Sequence, residues 1–172
     1  MAMSIEIIHF SDVRYPRRFA EEFGDTSPAQ LTALGNLDLL ALPKTALFCS
    51  ARCPGSAILR AHDQAARWRE ANRCVISGFH SPVERECLRI LLRGPSPVII
   101  CPARSLPKRI PPEWQAPLAE GRMLAISFFL PSQSRVTAEL AKLRNEYVAR
   151  LADETWFAHV SDASRLQKLI LP

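Results

Sequence analysis

The sequence predicts an α/β fold: a Rossmann-like, doubly wound and mainly parallel sheet with helices on both faces. Short apolar, partly β-branched runs recur at 45–49, 74–76, 97–101, 123–127 and 155–158, as strands buried on both faces require. Helical patterns separate these runs, and such alternation folds into a parallel sheet with right-handed crossovers. The size agrees. With 172 residues, 48% hydrophobic and 23% charged, the chain suits one globular domain with a full core.

Residues 5–10 form a short strand or an extended lead-in. Arg14-Tyr15-Pro16-Arg17-Arg18-Phe19 opens an irregular stretch that reaches Ser27-Pro28. Ser27-Pro28-Ala29-Gln30 has a capping signature, which predicts a short helix to about Leu34, stopped by Gly35-Asn36. Residues 1–43 are thus a lead-in segment with a short helix, and 44–172 are the sheet core. No repeat or linker divides the 172 residues.

The run 45–49 is the first core strand, followed by the turn Ser50-Ala51-Arg52-Cys53-Pro54-Gly55 and a helix from about 55 to 71. Ile58, Leu59, Ala65, Ala66 and Trp68 face a charged side with Arg60, Asp63, Arg67, Arg69 and Glu70, as in a surface helix. Cys74-Val75-Ile76 is the second core strand. Ser77-Gly78-Phe79-His80 turns, and Ser81-Pro82-Val83-Glu84 starts a helix to about Leu92 with a capping box and proline at its first position. Gly78 can take backbone angles closed to other residues. The third strand, 97–101, precedes a proline-rich connection with Arg104, Lys108 and Arg109, then a short helix from Pro111-Pro112-Glu113 to Gly121. The fourth strand is 123–127, and a long helical pattern covers 136–151. The fifth strand is 155–158, and a short helix covers 161–171.

The net charge of +5 and pI near 9.2 point weakly to an anionic partner. Only four of the 22 basic residues are lysine: Lys44, Lys108, Lys142 and Lys168. Arginine suits bidentate phosphate contacts, although genomic composition alone also produces this bias. No run reaches membrane-spanning length and no leader pattern opens the chain, so it reads as cytoplasmic and without a membrane partner. Cys49, Cys53, Cys74, Cys87 and Cys101 lack metal-ligand spacing and read mainly as small buried hydrophobes. No metal site is expected.

In an open α/β sheet, ligands bind beyond the carboxyl ends of the strands. The residues there are 50–54, 77–81, 102–105, 127–135 and 159–164, a rim rich in Ser, Arg and His and poor in carboxylates. Such a rim suits phosphate binding better than acid–base hydrolysis.

Five segments, in order, resemble motifs of the DNA-processing protein A (DprA, or Smf) family. Ala46-Leu47-Phe48-Cys49-Ser50-Ala51-Arg52 resembles its strand plus "GSR". Val75-Ile76-Ser77-Gly78-Phe79-His80-Ser81-Pro82-Val83-Glu84 is similar to "SGxAxGID", with Glu84 in the place of the aspartate and Pro82 in that of the second glycine. Ile110-Pro111-Pro112-Glu113 resembles "YPPE". Arg144-Asn145-Glu146-Tyr147-Val148-Ala149-Arg150-Leu151-Ala152-Asp153 resembles "RNRIIAGLSD", and Tyr15-Pro16 the "YP" lead-in. Asp162-Ala163-Ser164-Arg165-Leu166 stands where the family has "SGSLITA".

The resemblance implies a short, divergent member with the Rossmann-like domain alone. It implies single-stranded DNA binding, action with a RecA-type recombinase, a role in natural transformation or recombination, and a homodimer. By motif position, Ser50 and Arg52 would hold backbone phosphate, as would the turn of Ser77, Gly78, Phe79, His80 and Ser81. Arg144 and Asn145 would shape the same pocket, and Arg135 on the rim completes the candidate set. The lost glycine predicts a stiffer turn, which makes Arg52 the first choice for the deciding residue.

Structural readings stand beside each of these. Ser81 and Glu84 form a cap alone, or a cap with an anion site. Arg52 either meets a ligand or pairs with Glu84 or Asp162. His80 contacts a base or caps its own loop. Arg144 shapes the pocket or pairs with an acid. Arg85, Arg89 and Arg93 are a solvated basic face or a track for a nucleic-acid backbone. Trp68, Trp114 and Trp156 read as core. Besides nucleic-acid binding, the fold admits a non-catalytic nucleotide sensor. An enzyme ranks last. The related cytokinin-activating phosphoribohydrolases carry "PGGxGTxxE", which has no counterpart here, and no catalytic residue or cofactor is expected.

Overall fold

The computed structural model describes residues 3–162, 164 and 166–170. Seven strands form one sheet: β1 Glu6–His9, β2 Gln30–Gly35, β3 Lys44–Cys49, β4 Cys74–Ser77, β5 Val98–Ile100, β6 Met123–Ser127 and β7 Glu154–His159. Their order is β1-β2-β6-β5-β4-β3-β7. Neighbours from β6 through β7 run parallel, whereas β1 and β2 join antiparallel at one edge. Among the described residues there are six α-helices, α1 Arg17–Phe23, α2 Gly55–Glu70, α3 Pro82–Leu92, α4 Pro112–Ala119, α5 Ala138–Leu151 and α6 Gln167–Ile170, and two short 3-10 turns. The α/β, Rossmann-like reading therefore stands, with a sheet that is parallel except at that edge.

The pleat splits the sheet residues between two cores. Ala46, Phe48, Ile76, Ile99, Leu124 and Ile126 face α1 and α5, where Phe19, Tyr147, Val148 and Leu151 are buried. Phe19 stacks on Phe128 at 5.1 Å and meets Tyr147 edge-on at 4.8 Å. Leu47, Val75, Val98, Ile100, Met123 and Ala125 face α2, α3 and α4, with Ala61, Ala65, Trp68, Cys87, Leu91, Trp114 and Leu118. Trp68 and Trp114 are core residues, and half-buried Trp156 packs edge-on against Trp68.

Two lead-in elements differ from expectation. Residues 30–35, expected in a helix, form β2, which pairs Thr32 with Ser127 and Leu34 with Ala125. Ser27 does not cap. Its hydroxyl donates to the Phe19 carbonyl, while the Tyr15 hydroxyl donates to the Pro28 carbonyl. Leu31 and Ala33 enter one core and Leu34 the other. A short run buried on both sides has no alternation to mark it as a strand. The stretch read as irregular holds α1, whose signal was Pro16 followed by Phe19 and Phe23 at helical spacing. Residues 1–43 thus contribute strands to the sheet as well as a short helix.

Smaller differences lie at helix ends. α5 starts at Ala138, where the Thr137 side chain accepts from Leu140 N–H, and leaves Val136 exposed. The closing helix is confined to Gln167–Ile170; the expected end at Leu171 lies outside the described residues. All five cysteines are free thiols, and four of them are buried.

β3 is the pivot of this topology. From it the chain winds through β4 and β5 to β6 on one side, and α5 then carries it back across the sheet to β7 on the other. The carboxyl end of β3 is therefore the switch point at which such sheets open a crevice.

Candidate functional site

A cavity of about 370 Å³ lies at that switch point. The end of β3 supplies Cys49 to Arg52, and the start of α3 supplies His80, Ser81 and Glu84. α5 supplies Ala141, Arg144 and Asn145, and the segment after β7 supplies Ser161, Ser164 and Leu166. Six of the ten candidates line it: Ser50, Arg52, His80, Ser81, Arg144 and Asn145.

The turn between β4 and α3 is closed on itself. Glu84 is buried, and its Oε2 accepts from the backbone N–H groups of His80 and Ser81, each at 2.9 Å. Its Oε1 accepts from Cys49 N–H at 3.1 Å, and Ser81 Oγ accepts from Glu84 N–H at 3.3 Å. This is a complete capping box whose carboxylate also ties the turn to the end of β3. The positive end of α3, an ordinary place for an anion, already holds one from the protein. Ser77 is fully buried, and its Oγ accepts from Phe79 N–H. Phe79 is buried in the core with φ of 46°, left-handed backbone that is uncommon for a bulky side chain. Ser77 and Phe79 therefore build the turn from behind.

Gly78 is glycine for a reason other than the expected one. It is not among the positive-φ glycines. A Cβ there would collide with Nη1 and Cζ of Arg144, so the missing side chain makes room for a guanidinium. Arg144 is 4% exposed. It donates from Nε to Asn145 Oδ1 at 2.8 Å and from Nη1 to the Cys101 carbonyl at 3.0 Å. Burial pulls its pKa below the ordinary value, and the nearby Glu84 charge opposes that shift. Asn145 accepts this bond from the helix itself, and Arg144 reaches across to the end of β5.

The loop after β3 is open by contrast. Ser50 anchors it, donating its N–H to the His159 carbonyl and accepting from Ser161 N–H at its Oγ, 3.0 Å away. Beyond Ser50, the N–H groups of Ala51 and Arg52 have no acceptor among the described residues. α2 then begins without a side-chain cap. The Arg52 side chain is exposed and forms no ion pair among the described residues, Glu84 and Asp162 included. His80 is exposed on the opposite rim. Arg135 is exposed in the loop before α5 and does not line the cavity.

Ala141, Ser161, Ser164 and Leu166 also line the cavity; Ser164 and Leu166 belong to the segment compared with "SGSLITA", and Ala141 was not foreseen. Ala141 could have been found from helical spacing to Arg144 and Asn145, and Ser161 and Ser164 lie within the rim that strand order indicates. Ala163 and Arg165, part of the "SGSLITA" comparison, lie outside the described residues. No three metal-ligating side chains come together among the described residues. Nor is any described helix long and apolar enough to cross a membrane. The cavity can hold an anion against side-chain cations and unoccupied N–H groups.

Fold and site together define a Rossmann-like protein with a polar-lined pocket at the switch point. The family model of DNA recombination-mediator protein A matches residues 6–164, so the chain belongs to that family. The fold matches DNA processing protein A from Streptococcus pneumoniae with a TM-score of 0.74 and 21% identity, covering 94% of this chain and 56% of that one. It matches DNA processing protein A from Helicobacter pylori, a structure described for its single-stranded DNA binding mode, with a TM-score of 0.73 and 18% identity. That match covers 94% of this chain and 72% of that one. The chain thus spans little more than half the length of the pneumococcal protein. No curated protein sequence matches it.

Proposed function

We propose that the chain binds single-stranded DNA by its phosphate backbone in the pocket after β3. The observation that carries this reading is Arg52, exposed at the pocket rim beside two unoccupied backbone N–H groups and opposite His80. Cation and N–H donors in one concavity suit a phosphodiester. Arg144 and Asn145 shape the inner wall, and Leu166 and Ala141 offer apolar surface to a sugar or base. The role is binding, with no catalytic residue. Family membership supports a place in DNA processing, and we extend it to DNA uptake or recombination alongside a RecA-type recombinase, with the chain acting as a homodimer.

The test is titration of a fluorescent oligothymidylate at two salt concentrations. Binding should weaken steeply with salt, since releasing condensed counterions drives phosphate contacts. Arg52→Ala should cut affinity about tenfold, the effect of roughly 1.4 kcal/mol. The cavity volume also favours a second reading, a sensor of a free nucleotide, because about 370 Å³ is within the range of small-ligand sites. Saturable mononucleotide binding with little salt dependence, and no oligonucleotide binding, would select that reading.

A further inference from the structure

Arg85 and Arg89 on α3 and Arg93 at its C-cap follow one another at four-residue spacing and take no part in the pocket. All three are exposed. Continued backwards, their row reaches Ser81, which lines the pocket. A row of this kind winds slowly around a helix and rises about 6 Å per step. Cations at that interval match the spacing of phosphates along a stretched single strand.

Acidic neighbours do not neutralise the row. On α3 the row's ion-pair partner is Glu86, which bonds Arg89 at 2.9 Å with the arginine side chain 68% exposed and also feels the Arg93 charge, while Glu84 is buried in the turn. Exposed pairs of this kind hold little energy and give way to a better anion. Arg85 and Arg93 make no ion pair among the described residues. The row also differs from the other arginines near the end of α3. Arg69 and Arg122 donate to the carbonyls of Ile90 and Leu92 and are used up in capping the helix.

We infer that single-stranded DNA, once its backbone is seated at Arg52, leaves the pocket over the start of α3 and runs along Arg85, Arg89 and Arg93. This rests on the binding function proposed above. It adds a direction and a longer footprint, with charge complementarity and continuity with the pocket as its grounds.

Oligothymidylates of four and twenty nucleotides separate the pocket from the track. In Arg89→Gln/Arg93→Gln, both residues being exposed and distant from the cavity, the four-mer should bind within twofold of the wild type. The twenty-mer should lose about tenfold, and its log–log salt slope should fall by about 1.4, since each phosphate contact on a single strand contributes about 0.7. Arg85→Gln should act in the same sense. An unchanged twenty-mer overturns the track, as does an equal loss for both lengths. A wild type that binds neither length overturns the pocket reading itself.

Discussion

Two strand-to-helix turns stand side by side at the switch point, and among the described residues one has its backbone donors occupied while the other does not. The turn from β4 to α3 has the motif that most suggests an anion site, yet Glu84 occupies its N–H groups. The loop from β3 to α2 has the weaker pattern, Ser-Ala-Arg, and its Ala51 and Arg52 N–H groups have no acceptor among the described residues. A helix N-terminus attracts a negative charge, but a capping glutamate meets that demand from within. The closed turn gives the pocket its shape, and the open loop is where the proposed binding would draw its affinity.

This division can be broken most strongly at Glu84. Glu84→Ala removes the acceptor of three backbone N–H groups, and each orphaned buried donor costs about 1–3 kcal/mol. We expect a loss of at least about 3 kcal/mol in urea unfolding. Next comes Gly78→Ala, which forces the Arg144 guanidinium aside at about 1–3 kcal/mol, the range for an overpacked site. Gly78→Ala/Arg144→Ala should cost less than the sum of the two single changes, because they share one contact. Arg52→Ala should do the reverse of Glu84→Ala, with stability within about 0.5 kcal/mol of wild type and most of the oligonucleotide affinity gone. If Arg52→Ala unfolds the protein or spares binding, the comparison fails.

A separate effect, absent at neutral pH, is a matter of alkaline titration. Cys49, at the base of the open loop, is pushed from 9.0 up to about 12 by burial, with Cys53 beside it adding to the shift. Burial raises Cys87 and Cys101 to about 12 as well. Above pH 9 the unfolded chain gives up these thiol protons and the folded chain keeps them. Stability should therefore fall as pH rises from about 9 to about 12, which thermal melts would record. Iodoacetamide at pH 8 should modify half-buried Cys53 well before Cys49, as peptide mass mapping would show.

The parallel part of the sheet was legible because each strand is a short apolar run closed by a polar turn. β2 was not legible, since its run Leu31-Thr32-Ala33-Leu34 is buried on both sides and a serine–proline pair before it imitates a cap. Arg52 could be placed from strand order alone. Glu84 could be read as a cap, but its bond to Cys49 N–H depends on β3 lying next to β4. The role of Gly78 was hidden for a similar reason: the side chain that needs its space comes from α5. Local pattern shows which residues turn the chain, and only packing shows which donors remain unoccupied.

The contact between Gly78 and Arg144 also sets an order of assembly. Strands β3 to β6 and both turns are made before α5 leaves the ribosome, and the segment with Ser161, Ser164 and Leu166 follows later still. Until α5 docks, nothing fills the space over Gly78, and the cavity lacks its inner wall. The pocket's inner wall is thus made only after β3 to β6 have been synthesised, so a nascent chain has most of its sheet before the cavity is complete.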